Sequence, residues 1–304
     1  MRKILITGGT GLVGSQFNGD EYYKISSKDF DLRKPDNTDL IFDTHNQIDS
    51  VIHCAARVGG IKANMDFKGE FFYDNIMINT NLIESARKSG IKNLVAFLST
   101  CVFPNNVEYP LTESKIFDGK PHSSNNAYAY SKRMSEVQIQ AYREQYGLNY
   151  KSVIPTNIYG IGDNYNLDNS HVIPALIHKC FLAKENNIDF VVWGSGKPLR
   201  EFIYNKDVAF LTKWVLNNYN ESEPIILSTS EEISIRDIVD MIVEIIKFKG
   251  KVIFDSSKPD GQFRKPSDNT KIKTYLPDFK FTPMYIGLQE TISQFISNYE
   301  HIRK

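Results

Sequence analysis

Tyr128 and Lys132 stand four residues apart in Tyr-Ala-Tyr-Ser-Lys, and Ser99 ends an apolar run upstream of them. On a helix, positions i and i+4 share a face, so this phenol and ammonium project toward one point. A nearby ammonium stabilises phenolate and should lower the tyrosine pKa, which suits proton donation to a carbonyl oxygen as hydride arrives at its carbon. Ser99 would hydrogen-bond the same oxygen. Tyr130 is the rival phenol. It lies two positions from Lys132 and joins Met134, Val137 and Ala141 in an apolar stripe at i, i+4, i+7 and i+11, which is expected to face the core, with Ile139 off the stripe. Tyrosine and lysine fall four apart by chance in many helices, so the pair acquires meaning only beside a cofactor site.

A signature for such a site stands at the start of the chain. Thr7-Gly8-Gly9-Thr10-Gly11-Leu12-Val13-Gly14 is a Gly-x-x-Gly-x-x-Gly directly after a β-branched run and ahead of an apolar-patterned segment. Glycine permits the tight turn and lets backbone approach a pyrophosphate, which sits where a helix start leaves N–H groups without partners. Gly8, Gly11, Leu12, Val13 and Gly14 are therefore candidate dinucleotide-binding residues. The second strand ends in Lys24-Ile25-Ser26-Ser27-Lys28-Asp29, with hydroxyls and a lysine before any acid. Ser26, Ser27 and Lys28 are expected to receive the 2′-phosphate of NADP, where an acid would select NAD. The plain alternative for Lys28 is a solvated loop lysine.

The elements that must position these groups follow from periodicity. Strands are predicted at Lys3–Thr7, Tyr22–Ser26, Ser50–Cys54, Leu94–Ser99 and Lys151–Ile154, and helices at Leu12–Phe17, Pro35–His45, Glu70–Lys88 and Ala127–Tyr146, the last stopped by Gly147. Alternation of this kind gives a Rossmann-type α/β fold, a doubly wound parallel sheet with ligands at the carboxyl ends of its strands. After residue 160 the regularity breaks. A polar stretch from Gly160 to Ser170 leads to a helix at His171–Lys184, a strand at Phe190–Trp193 and helices at Ile235–Ile246 and Ile286–Tyr299. The expected division is a dinucleotide-binding domain over 1–160, with a segment near 200–230 returning to it, and a smaller mixed α/β substrate domain over 161–304. No internal repeat is visible.

Composition narrows the class. The 304 residues carry 36 Lys plus Arg and 36 Asp plus Glu, so the net charge is zero and the footprint of a nucleic-acid or anionic-membrane binder is missing. With 41% hydrophobic and 24% charged residues and a mean hydropathy of −0.34, the chain reads as soluble and globular. No apolar run approaches a membrane span, and the N-terminus reads as a first strand and not as a leader peptide. Cys54, Cys101 and Cys180 offer no disulfide framework and no metal spacing, which points to the cytoplasm and to no metal site.

Longer stretches carry a resemblance. Ala55-Ala56-Arg57-Val58-Gly59-Gly60-Ile61-Lys62-Ala63-Asn64, Pro155-Thr156-Asn157-Ile158-Tyr159-Gly160, Ser170-His171-Val172-Ile173-Pro174-Ala175-Leu176, Trp193-Gly194-Ser195-Gly196, Arg200-Glu201-Phe202 and Lys258-Pro259-Asp260-Gly261 run the length of the chain. In them the sequence resembles the extended short-chain dehydrogenase/reductases and, among these, the GDP-L-fucose synthase family. That resemblance implies NADPH as hydride donor, a GDP-linked 4-keto sugar such as GDP-4-keto-6-deoxymannose as substrate, and a homodimer. It adds Ala55, Ala56, Pro155, Asn157 and His171 to the cofactor site beside Tyr128 and Lys132. It implies that Cys101 and His171 are the base and acid that invert C3 and C5, whose hydrogens a C4 ketone acidifies. Asn157, Lys179, Trp193, Arg200 and Lys258 are implied at the nucleotide-sugar end. Arginine there offers a planar fork to a pyrophosphate and lysine a point charge, while Trp193 could instead be core packing.

Departures from the family pattern keep alternatives open. Ser99-Thr100-Cys101-Val102-Phe103-Pro104 replaces a usual Ser-Ser-Cys-Ile-Tyr-Pro, and Thr10 and Ser27 stand where arginines hold the 2′-phosphate in some members. A C4 reductase without epimerisation, acting on a GDP-4-keto-heptose for surface polysaccharide synthesis, is one such reading. Another nucleotide-sugar epimerase or dehydratase, or a non-catalytic dinucleotide-binding regulator, are the others.

Overall fold

The computed structural model describes residues 2–258 and 260–303. Pro259 of the Lys258-to-Gly261 stretch lies outside them, as do the terminal residues 1 and 304 of the expected domain division. Eleven strands are present among the described residues: β1 (Lys3–Thr7), β2 (Tyr22–Ile25), β3 (Ile48–His53), β4 (Asn93–Phe97), β5 (Asn149–Pro155), β6 (Asn157–Tyr159), β7 (Phe190–Trp193), β8 (Leu199–Tyr204), β9 (Ile225–Leu227), β10 (Glu232–Ser234) and β11 (Val252–Asp255). The helices are α1 (Pro35–Thr44), α2 (Ile61–Asp66), α3 (Lys68–Lys88), α4 (Asn126–Tyr146), α5 (Val172–Glu185), α6 (Asn205–Asn218), α7 (Ile235–Ile246), α8 (Thr270–Tyr275) and α9 (Met284–Ser297).

Six strands form a parallel sheet in the order β2-β1-β3-β4-β5-β9. A central parallel strand is buried on both faces and so reads as a continuous apolar run, and Val51, Ile52, Leu94 and Val95 are indeed fully buried. One face packs Leu5, Val51 and Leu94 against Ile41, Leu82, Ile83 and Ile139 from α1, α3 and α4. The other packs Ile6, Ile52 and Val95 against Val208, Leu211 and Val215 of α6. The chain thus re-enters this sheet with α6 and β9 after leaving it at β5. A second core gathers α5, α7 and α9 around the short β10-β8-β6 and β11-β7 sheets.

Two expectations are corrected. No α-helix spans Leu12–Phe17; a single 3-10 turn, Gly14–Gln16, stands there. The Leu12 carbonyl, which would accept the fourth N–H onward in an α-helix, is instead taken by Asn205 Nδ2 at 2.9 Å. The stripe on α4 does not face the core either. Met134 and Val137 are 42% and 47% exposed, whereas Ile139 is fully buried. The inward face carries Ala129, Ser131, Lys132, Ser135, Glu136 and Ile139. Its polar groups are paired inside the protein: Ser135 Oγ donates to the Lys132 carbonyl at 2.7 Å, and Glu136 accepts from Ser152 of β5 and from Gln140.

Candidate active site

The glycine loop is drawn tight against the backbone around it. Gly8 has φ +66°, and a Cβ there would lie 3.0 Å from the Ala55 backbone, so the loop and the residues after β3 approach as closely as glycine allows. A Cβ on Gly14 would collide with the Gly8 carbonyl, and Gly11 N–H donates to that carbonyl at 2.8 Å. Val13 is buried beneath the loop. Ala55 N–H donates to Thr7 Oγ1 at 3.1 Å, and Ala56 follows Ala55 beside the loop. Beyond β2, Ser26 is not available to a phosphate: its N–H and its hydroxyl both donate to Asp29 Oδ2 at 2.8 Å. Ser27 and Lys28 are exposed.

Composition and periodicity did not reveal the group at the centre of this floor. Thr7 Oγ1 lies 2.7 Å from His53 Nδ1, and His53 Nε2 lies 3.0 Å from Asn79 Oδ1. With the amide oxygen accepting, Nε2 carries the proton and Nδ1 accepts from Thr7, so the imidazole is neutral. Burial, then the neighbouring Lys132, push its pKa down to about 3. The signal available was a histidine inside an otherwise apolar strand, Ser50–Cys54.

Ser99 and Cys101 sit on a 3-10 turn (Thr100–Val102) just beyond β4, and Ser99 Oγ accepts Cys101 N–H at 3.3 Å. Tyr128 and Lys132 come from the first turns of α4, with Lys132 Nζ 5.9 Å from the centre of the Tyr128 ring. No hydrogen bond joins Tyr128 to Ser99 or to Lys132 among the described residues, which leaves the phenol free to donate to a substrate. The expected lowering of the tyrosine is overturned. Burial, reinforced by Cys101, pushes the phenol up. Tyr128 is therefore held as the neutral acid, the form with a proton to give. Lys132, 2% exposed, bears the converse penalty: burial lowers it to about 8, against an opposing pull from Cys54.

His171, exposed, is the N-cap residue of α5, directly after the polar loop. It makes no hydrogen bond to Cys101 among the described residues. Pro155 ends β5, and Asn157 opens β6 with Nδ2 donating to the Glu201 carbonyl at 2.7 Å.

A second group gathers at the far end. Trp193 is 63% exposed, which removes the core-packing alternative. Lys179 Nζ stands 4.2 Å from its ring centre and Lys258 Nζ 5.8 Å, so two cations flank one open aromatic face. Arg200 Nη1 donates to the Leu199 carbonyl at 2.7 Å, and burial lowers its pKa against the pull of Asp260. A segment over 260–268 ties the two groups together. Asp260 accepts from Ser195 N–H at 2.6 Å, Leu199 N–H donates to the Phe263 carbonyl at 2.8 Å, and Lys265 Nζ donates to the Thr100 carbonyl at 2.7 Å. Lys265 and Asn125, whose Nδ2 lies 2.9 Å from Cys101 Sγ, were not singled out from sequence. The helix expected from Ala127 put Asn126 at the place before it, one residue past the observed cap Asn125.

Among the described residues, no helix is long and apolar enough to cross a membrane. No group of three or more His, Cys, Asp or Glu among them could hold a metal ion.

Comparison with known proteins places the chain in a family. Residues 4–228 match the NAD dependent epimerase/dehydratase family. A GDP-L-fucose synthase of Dictyostelium discoideum is 47% identical over 318 residues, covering 100% of this chain and 98% of the relative. That of Escherichia coli (strain K12) is 34% identical over 319 residues, covering 99% of each. The crystal structure of a GDP-L-fucose synthetase from Naegleria fowleri bound to NADP superposes with a TM-score of 0.95 at 43% identity, covering 100% of this chain and 95% of that one.

Proposed function

The chain belongs to the NAD dependent epimerase/dehydratase family and, within it, to the GDP-L-fucose synthases, and we propose that its described residues divide one reaction between a C4-reducing group and a C3/C5-epimerising pair. The protein is an NADPH-dependent oxidoreductase with epimerase activity that converts a GDP-linked 4-keto-6-deoxysugar. NADPH, when bound, supplies the hydride. The glycine loop, with Ala55 and Ala56, would hold its pyrophosphate, Ser27 and Lys28 its 2′-phosphate, and Pro155, Asn157 and His171 would line its other end beside Tyr128 and Lys132.

In this reading Cys101 removes the proton from C3 and from C5, the C–H electron pair moves into the C4 carbonyl as enolate, and His171 returns a proton from the opposite face. Tyr128 then gives its proton to the C4 oxygen, with Ser99 as second hydrogen-bond partner and Lys132 setting the local charge. Trp193, Lys179, Arg200 and Lys258 bind the GDP portion. The observation that carries the reading is Tyr128, whose hydroxyl has no hydrogen-bond partner among the described residues, beside the buried Lys132 and the Ser99-to-Cys101 turn. The test is incubation with GDP-4-keto-6-deoxymannose and NADPH. A product epimerised at C3 and C5 and reduced at C4 is expected, and an unepimerised sugar would leave a C4 reductase.

We further assign residues 1–160, with the segment near 200–230, to cofactor binding and 161–304 to the sugar nucleotide. The pairing of β9 with β5 and the separate core around α5, α7 and α9 support that division. A homodimer is favoured by the exposed face of α3 and α4, where Phe72 and Tyr73 accompany Met134 and Val137. Met134→Glu on that face should shift the mass measured by light scattering from dimer to monomer. Three free cysteines suit the cytoplasm, and a GDP-activated deoxysugar suits polysaccharide assembly.

A further inference from the structure

Asn125 occupies the N-cap position of α4, yet its side chain makes no capping hydrogen bond. An asparagine there ordinarily accepts an N–H from the first turn. Here Nδ2 points to Cys101 Sγ at 2.9 Å, and Oδ1 is buried with no hydrogen-bond partner. The residue has thus given up a cap and left an amide oxygen unsatisfied in order to direct a donor at one sulfur. A neutral thiol is a weak acceptor, whereas a thiolate takes a full charge-assisted hydrogen bond. The backbone agrees with an anion at this place, because the 21-residue α4 begins beside the sulfur and presents its positive end.

We propose that Asn125 is a positioning residue for epimerisation, which fixes Cys101 Sγ and favours its thiolate, so that the sulfur is ready to take a proton from a carbon next to the ketone. The inference rests on the reading of Cys101 as the base. In the step it supports, the S–H bond forms as the C–H bond breaks, and the electron pair moves into the C4 carbonyl, so no oxidant or reductant enters. The titratable groups that act on Cys101 are Tyr128 from α4 and Lys265 from the segment over 260–268, which is anchored on the Thr100 carbonyl. Both stay in place in the variants below. Since Asn125 makes no cap bond, its truncation removes the bond to sulfur without costing α4 a side-chain cap.

The experiment compares wild type, Asn125→Ala and Asn125→Asp on GDP-4-keto-6-deoxymannose. Deuterium exchange at C3 and C5 is followed in deuterated water without NADPH, and C4 reduction is followed by single-turnover NADPH oxidation. In Asn125→Ala the ratio of exchange to reduction should fall about tenfold at neutral pH, and the deficit should close as pH is raised. Asn125→Asp, nearly isosteric but bringing a carboxylate to the sulfur, should fall further. An unchanged ratio in Asn125→Ala, or a deficit equal at every pH, overturns the proposal. Cys101→Ser separates the two claims. If that variant still exchanges like wild type, the base is another group, while the pH dependence of iodoacetamide labelling of Cys101 in Asn125→Ala still reports what the amide does to the sulfur.

Discussion

Lys132 and Lys258 carry the same ammonium at the two ends of the site and meet opposite surroundings. Lys132 is sealed under α4 against His53 and Cys54, and burial lowers it to about 8. Lys258 is exposed, above the open face of Trp193. The same contrast runs through their neighbours. Burial raises Tyr128 and lowers His53 beside the large sheet, while Trp193 faces a surface that water reaches and the half-buried Lys179 lies against its ring. Proton transfer needs groups whose charge state is fixed before the substrate arrives, and low-dielectric burial provides this. Recognition of a nucleotide diphosphate needs charge and an aromatic plane that stay reachable until binding.

The contrast predicts different kinetic signatures. Tyr128→Phe should lower single-turnover reduction by about 10²–10⁴-fold and leave NADPH affinity within a few-fold. A variant that reduces near the wild-type rate would mean that another group donates the proton. At the open end, Trp193→Ala and Lys179→Ala should raise KM by about tenfold or more with kcat nearly constant, the mark of uniform binding. An equal fall in kcat and kcat/KM would assign these residues to the transition state and erase the distinction between the ends.

A further expected effect is on stability. Lys132 titrates in the folded chain near 8, below its ordinary 10.5. Between those values the unfolded chain holds a proton that the folded one has released, so folding strengthens as pH rises through that window. Lys132→Met removes the penalty. It should exceed wild type in stability below pH 8, by on the order of 3 kcal/mol at most, with the advantage vanishing toward pH 10.5. Urea melts across that range measure it, and a pH-independent difference would show that Lys132 is not desolvated as described.

The same division explains what could be read from sequence. Strand Phe190–Trp193 and helix Ile235–Ile246 match their expected bounds, and in the helix apolar period and burial coincide, with Ile238, Val239, Ile242 and Ile246 buried. Local pattern failed where a distant residue decides. Asn205 lies 193 residues from Leu12, and its bond to that carbonyl keeps the turn after the glycine loop from becoming an α-helix. On α4, Tyr128, Lys132, Ser135 and Ile139 repeat the spacing of the apolar stripe two positions earlier, and that polar row is the buried face. Hydrophobic periodicity finds apolar faces, and this buried face is held by paired polar groups instead. The tyrosine pKa was misjudged for a related reason: the lysine was visible in sequence, but the depth of the pocket was not.

The most direct test of a coupled epimerase and reductase is the reaction of wild-type protein with GDP-4-keto-6-deoxymannose and NADPH in deuterated water, with the product read by mass spectrometry and NMR. Cys101 and His171 acting before Tyr128 predict solvent deuterium at both C3 and C5 of a sugar reduced at C4. A reduced product with no carbon-bound deuterium would contradict the account, since the ketone would then have been reduced without either neighbouring proton having been removed.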